Sequence, residues 1–224
     1  MVTISSLRFD ESVVSGWHMA DNHERGRGWM DGPDPSQIGA TFTVDWNPPT
    51  ELIPAEAIVQ NLQLVRDDRK QKANANGTTL LEHDVITNPN GISLIRVIEK
   101  RPMDPHGMSY YGSLTLLNEA SGFVIQMYCF EQGTTGVRDS MVMAEFPSLD
   151  PSKEDWGGWW IDPHGFGPQA PLMYNVAELP KYDAKFPDHP LSRLRQTFQR
   201  VVDSMTLQSS PNQASWFGRL FGKK

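Results

Sequence analysis

The sequence predicts an α+β protein in which an antiparallel β-meander sheet packs between an N-terminal amphipathic helix and a C-terminal helix, an αβα sandwich. Three observations lead there. Two stretches, Ala55 to Val65 and Leu191 to Met205, place apolar residues at the three-and-four spacing of a buried helix face. Between them, Leu80 to Phe130 changes to the period of strands. The connections within that run are too short for crossover helices, so its strands are expected to be antiparallel neighbours.

At 224 residues the chain is read as one domain with long loops over 1–208, followed by a linker and amphipathic tail over 209–224. Met1 to Asp45 is rich in Gly, Pro and Asp around GRGWMDGPDPSQ. Short strands are expected near Thr3–Phe9 and Thr41–Trp46, with a long surface loop over about 10–40. In ELIPAEAIVQNLQLVRDDRKQK, residues Ala55, Ile58, Val59, Leu62 and Val65 fall on one face, and Pro54 sits in the first turn, where its missing amide costs nothing. The polar end of this helix runs to Asn76-Gly77, a suitable left-handed stop.

The strands that follow are LLEHDVIT, ISLIRVIEKR, YYGSLTLLNE and FVIQMYCFE, joined by turns at NPNG and Ala120-Ser121-Gly122 and by the loop PMDPHGM. Phe123 to Phe130 is apolar at almost every position, which predicts a sheet covered on both faces. A short helix is expected from about Val137 to Phe146, and Pro147 to Pro180 is too rich in Gly and Pro for long regular elements. The last helix carries Leu191, Leu194, Phe198, Val201, Val202 and Met205 on one stripe, with Asp188 as the expected N-cap and Pro190 in the permissive first turn.

Composition narrows the function. Lys plus Arg number 20 against 27 Asp plus Glu, a formal net charge of -7, so the long-range field repels phosphate backbones and nucleic acid is not expected as a partner. Cys129 is the one cysteine, which rules out an intrachain disulfide and makes the cytoplasm the expected compartment. No window has the ~20 apolar residues of a membrane span. ASWFGRLFGKK, with Trp216, Phe217 and Phe221 among glycines and basic residues, has a small amphipathic pattern suited to a groove or to transient contact with a membrane surface.

No catalytic set emerges from the motifs. GTTGVRDS resembles an anion-holding turn before a helix, but it lacks both glycine-rich phosphate spacings, and Glu131 brings a like charge. Thr134 or Thr135 is read as a helix cap, with Arg138 pairing a carboxylate. Cys129 alternates in phase with Phe123, Ile125 and Met127 and reads as a core residue. Neither H-E-x-x-H nor G-x-S-x-G occurs, and neither a metal nor a cofactor is expected. Two candidate sites remain. Trp156, Trp159, Trp160 and Phe166 lie on a glycine-rich loop where aromatics can anchor a protein partner or close the sheet as a small satellite core. Arg138, Asp162, His164, Asp188 and His189 form a polar set that folding can gather into a hydrolase-like site, metal-assisted if the histidines and carboxylates act as ligands.

The order of helix, HDVIT, ISLIRVIEK, YYGSLTLL, FVIQMYCFE and HPLSRLRQTFQRVVDSMTL resembles the αβα sandwich of the superfamily shared by the photosystem protein PsbP and the Ran-binding Mog proteins. The resemblance implies a mostly non-enzymatic protein that binds another polypeptide, with bacterial members including small chaperones and adaptors for secreted effectors. An adaptor, chaperone or immunity protein of bacterial type is therefore the expected function. An enzyme built on the loop Asp and His residues is the alternative.

Overall fold

The computed structural model describes residues 4–34, 37–46, 60–104, 106–116, 122–162 and 174–208. Its elements are β1 (Leu7–Arg8), β2 (His18–His23), β3 (Gly26–Met30), β4 (Ala40–Trp46), α1 (Leu62–Ala75), β5 (Thr79–Thr87), β6 (Ser93–Pro102), β7 (Met108–Leu116), β8 (Phe123–Phe130), α2 (Val137–Ala144), α3 (Pro190–Ser204) and β9 (Thr206–Leu207). The α+β class with a large antiparallel sheet is as the sequence indicates. That sheet has seven strands in the order β2-β3-β4-β8-β7-β6-β5, and β1 pairs with β9 in a separate two-stranded ribbon.

The meander from β5 to β8 forms as expected because its turns leave no room for anything else. Leu94 lies opposite Leu116, and Leu114 opposite Ile125. These residues join Phe42, Phe123, Met127 and the stripe of α3 in one core. Leu191, Leu194, Phe198 and Val201 are each no more than 1% exposed, and each such burial contributes ~1.5 to 3 kcal/mol. α3 lies so close to the sheet that a Cβ at Gly112 would stand 2.6 Å from the Phe198 ring and 2.8 Å from Leu194. A strand glycine here marks the point of close approach.

Three expectations need correction. The stretch about 10–40, read as a surface loop, contains the β2–β3 hairpin, which extends the sheet beyond β4. The sheet is not evenly covered. Along β8, Phe123, Ile125, Met127 and Cys129 are buried, while Val124, Gln126, Tyr128 and Phe130 on the other face are only half-buried. The N-terminal helix does not supply a broad second layer among the described residues. Ala55, Ile58 and Val59 lie outside them, Leu62 and Val65 are half-buried, Leu64 is exposed, and α1 packs at the β5 margin through Ala73 against Leu80 and Val97. Its end is as expected, with Asn76 as C-cap and Gly77 at φ 68°.

A second, smaller core forms beside α2 from Val142, Trp159, Val176 and Ala177. Among the described residues, no helix is long and apolar enough to cross a membrane.

Candidate functional site

A cleft of about 390 Å³ opens where the end of β8 meets α2 and the segment leading into α3. Its polar interior is built by residues far apart in sequence. Glu131 follows β8, Arg138 belongs to the first turn of α2, and His189 caps α3. Proline at the first helical position, Pro190, leaves the chain extended at His189, whose Nδ1 accepts the Leu191 amide at 3.2 Å. The cap is therefore His189 rather than the expected Asp188, which is exposed on the rim.

The Nε2 of His189 faces Glu131 Oε1 at 3.4 Å, with both side chains largely buried, and its ring packs edge-on to Tyr110 at 5.4 Å. Glu131 also accepts the Met108 amide at 2.8 Å and the Gly136 amide at 3.3 Å. Burial pushes its carboxyl up, but the hydrogen bonds from His189 and these two amides prevail and hold it below the usual carboxylate range. The glycine-threonine turn is thus a corner. Gly136, at φ 70°, occupies the N-cap position of α2, and the chain's own Glu131 carboxylate stands where a bound anion would. The expected cap by Thr134 or Thr135 does not form, because the N-cap position falls to Gly136, which has no side chain to accept the first-turn amides.

Arg138 behaves as read. It is 1% exposed and donates to Asp183 Oδ1 at 3.0 Å, Ser192 Oγ at 2.8 Å, and the Ala177 and Leu179 carbonyls at 2.6 and 3.2 Å. Asp183 also accepts from Arg195, whose Nε reaches Glu82 on β5 at 2.6 Å. Behind this lies a closed pair, Lys100 with Glu178 at 2.6 Å, both almost fully buried, and Glu178 also accepts the Asn175 amide at 2.9 Å. Burial, with Glu178 as a negative neighbour, raises the Asp139 carboxyl and pushes the Tyr110 hydroxyl well above its usual range.

The outer lip is apolar. Val137, 42% exposed, lines the cleft with Phe186 and Pro187, and Met141, one turn further along α2 and outside the lining, is 46% exposed. Lys185 and Arg193 on the rim are paired with Glu145 at 2.5 Å and Asp31 at 2.7 Å.

Of the polar set expected from sequence, the structure brings Arg138, Asp188 and His189 to this cleft. Asp162 is not among the residues lining it, and His164 lies outside the described residues. Among the described residues no group of three His, Cys, Asp or Glu side chains is placed to hold a metal ion. Of the expected aromatic anchors, Trp159 is 1% exposed and belongs to the smaller core. Trp156 and Trp160 are half-buried against it, with Trp160 in edge-on contact with both Trp156 and Trp159. Gly157 permits this packing, since a Cβ there would fall 1.8 Å from the Ser148 carbonyl oxygen. The exposed-anchor reading is thereby withdrawn from Trp159, whose ring is used up inside the molecule. Phe166, Trp216, Phe217 and Phe221 lie outside the described residues. Cys129 is buried, and burial pushes its thiol up to about 12, as suits a core residue.

Sequence reasoning passed over Val137, Phe186, Lys185 and Arg193. The exposed apolar pair at i and i+4 on α2 was the one local signal that marks this surface. No protein-family model matches the sequence, and no curated protein matches it.

Proposed function

We propose that this is a non-enzymatic protein-binding module, an adaptor, chaperone or immunity protein of bacterial type acting in the cytoplasm, and that it holds a segment of a partner polypeptide in the cleft between α2 and α3. One observation carries the reading. The cleft has Val137 exposed at its edge, with Met141 exposed one turn further along α2, while its buried ionisable groups, Glu131, His189 and Arg138, are each bonded within the chain. Such a surface binds by excluding water from apolar side chains and has no unengaged buried base or nucleophile to spend on chemistry. The resemblance of the strand and helix order to PsbP and the Mog proteins points the same way.

The test uses the full chain with a photo-crosslinking amino acid at position 188, on the exposed rim of the cleft, expressed in its own cells. A polypeptide cross-linked there, and lost when Val137→Arg and Met141→Arg are added to the same chain with the melting temperature unchanged, is the expected result. Exposed substitutions of this kind shift stability by no more than ~0.5 kcal/mol. Capture that persists in the double variant overturns the reading. The second reading, a hydrolase-like enzyme, is favoured by the presence of Arg138, Asp188 and His189 on one concave surface. It requires turnover of an ester or amide that His189→Gln abolishes.

A further inference from the structure

The opposite face of the sheet carries a different chemistry. Register places Glu99 of β6 opposite Tyr111 of β7, and Tyr111 opposite Tyr128 of β8, so the three side chains form one row on the face away from α3. Arg101, two residues along β6, shares that face. With Asn76 and Thr78 from the turn after α1 they enclose an open depression of about 330 Å³, within the ~300 to 1,000 Å³ of small-molecule sites.

The two tyrosine rings lie 4.7 Å apart at 41°, tilted against each other and too close to admit anything between them, so they form one aromatic pair at the depression. The exposed Arg101 stands with its guanidinium 5.9 Å from the Tyr128 ring centroid, and its Nε donates to Ser109 Oγ at 3.3 Å, while its terminal nitrogens have no hydrogen-bond partner among the described residues. Glu99 is half-buried. Burial raises its carboxyl, the positive charges of Arg69 and Arg101 lower it less, and no hydrogen bond acts on it among the described residues.

This combination selects by charge. A cationic ligand would meet Arg69 and Arg101, and an anion would meet Glu99 at the centre of the floor. A neutral molecule escapes both penalties if it has one apolar face for the tyrosines and neighbouring hydroxyls that donate to a carboxylate and accept from a guanidinium. A pyranose ring has that form: its C–H face stacks on an aromatic surface and its rim carries adjacent hydroxyls. We propose that this depression is a carbohydrate site, taking a neutral mono- or disaccharide whose C–H face packs against the accessible side of the Tyr111–Tyr128 pair, with adjacent hydroxyls shared between Glu99 and Arg101. The site is distinct from the protein-binding cleft: both reach β8, through Tyr128 here and Phe130 there, but they share no lining residue.

The five tyrosines of the chain allow a direct test. Full-length protein labelled with fluorotyrosine is titrated with glucose, galactose, mannose, N-acetylglucosamine, maltose and cellobiose, and its fluorine resonances are assigned by Tyr→Phe variants. At least one sugar is expected to move the Tyr111 and Tyr128 signals saturably while Tyr110, Tyr174 and Tyr182 stay in place. Arg101→Ala, at an exposed position, is expected to keep the melting temperature and weaken that sugar's Kd about tenfold or more, the loss of a charge-assisted hydrogen bond. Glu99→Ala is expected to act in the same direction. Absence of any shift with the whole panel overturns the proposal, as does undiminished affinity in Arg101→Ala. Tighter binding of inorganic phosphate, tetramethylammonium or adenosine at the same two rings overturns it as well. The Val137→Arg, Met141→Arg variant retains sugar binding, so the two readings fail separately.

Discussion

His83 shows how one residue can carry a pH dependence for the whole protein. It is fully buried on β5 beneath α1, and among the described residues neither ring nitrogen has a hydrogen-bond partner. Burial first, then the positive charges of Arg66 and Arg69, push it down to about 4, against a slight pull upward from Asp84. Between about pH 6.5 and pH 4 the unfolded chain therefore binds a proton that the folded one refuses, so stability falls as pH is lowered through that window and levels off below it. The loss is about 3 kcal/mol. Unfolding free energies from denaturant titrations between neutral pH and about pH 4 are expected to drop by this amount in the native chain and by distinctly less in His83→Leu; parallel curves would show that other groups are responsible. In the sequence, HDVIT says only that His83 sits on a strand. Its burial depends on a helix that crosses above it, and Arg66 fixes that helix by donating to the His83 carbonyl at 3.0 Å.

At the level of elements, legibility followed how strongly one face was written. α3 was plain because six apolar residues share its stripe, and β5 to β8 were plain because period-two apolar runs met tight turns. The β2–β3 hairpin was hidden because all six residues of β2 are exposed and polar alternation carries no signal there, while Gly26 and Gly28 look like loop. The candidate site was legible only in pieces. Arg138 announced a carboxylate partner, but no spacing joins Glu131 to His189, and the contact exists because the ends of β8 and α3 meet. The buried Lys100–Glu178 pair likewise ties β6 to the turn at Val176–Glu178. Lys100→Met alone leaves a buried carboxylate unpaired and is expected to cost ~3 to 5 kcal/mol in urea unfolding. Adding Glu178→Gln, whose amide oxygen can still accept the Asn175 amide, is expected to recover most of that cost. A double variant as unstable as the single one would mean that the pair's geometry, rather than its charge, holds the two elements together.

Over the whole molecule, the apolar material is concentrated between α3 and one face of a seven-stranded sheet, and the other face is left partly open for the tyrosine row. The two-stranded ribbon completes that core from the ends of the described chain. Leu7 is fully buried and pairs with Leu207, while Asn88 donates to the Val202 and Met205 carbonyls and so ties the β5–β6 turn to the end of α3. Leu7→Ala is expected to lower the unfolding free energy by ~2 to 5 kcal/mol within a single cooperative transition. A separate early transition would instead show the ribbon to be an independent flap.

The pairing of Leu7 with Leu207 also sets a schedule for biosynthesis. β1 must wait for a strand translated after every other described element, and α3, which covers the sheet, is translated after the strands it covers. Until α3 has emerged from the ribosome the meander stands with its oily side bare, and closure waits for β9 to follow. Stalled or truncated products of this gene are accordingly the species that cellular quality control must remove.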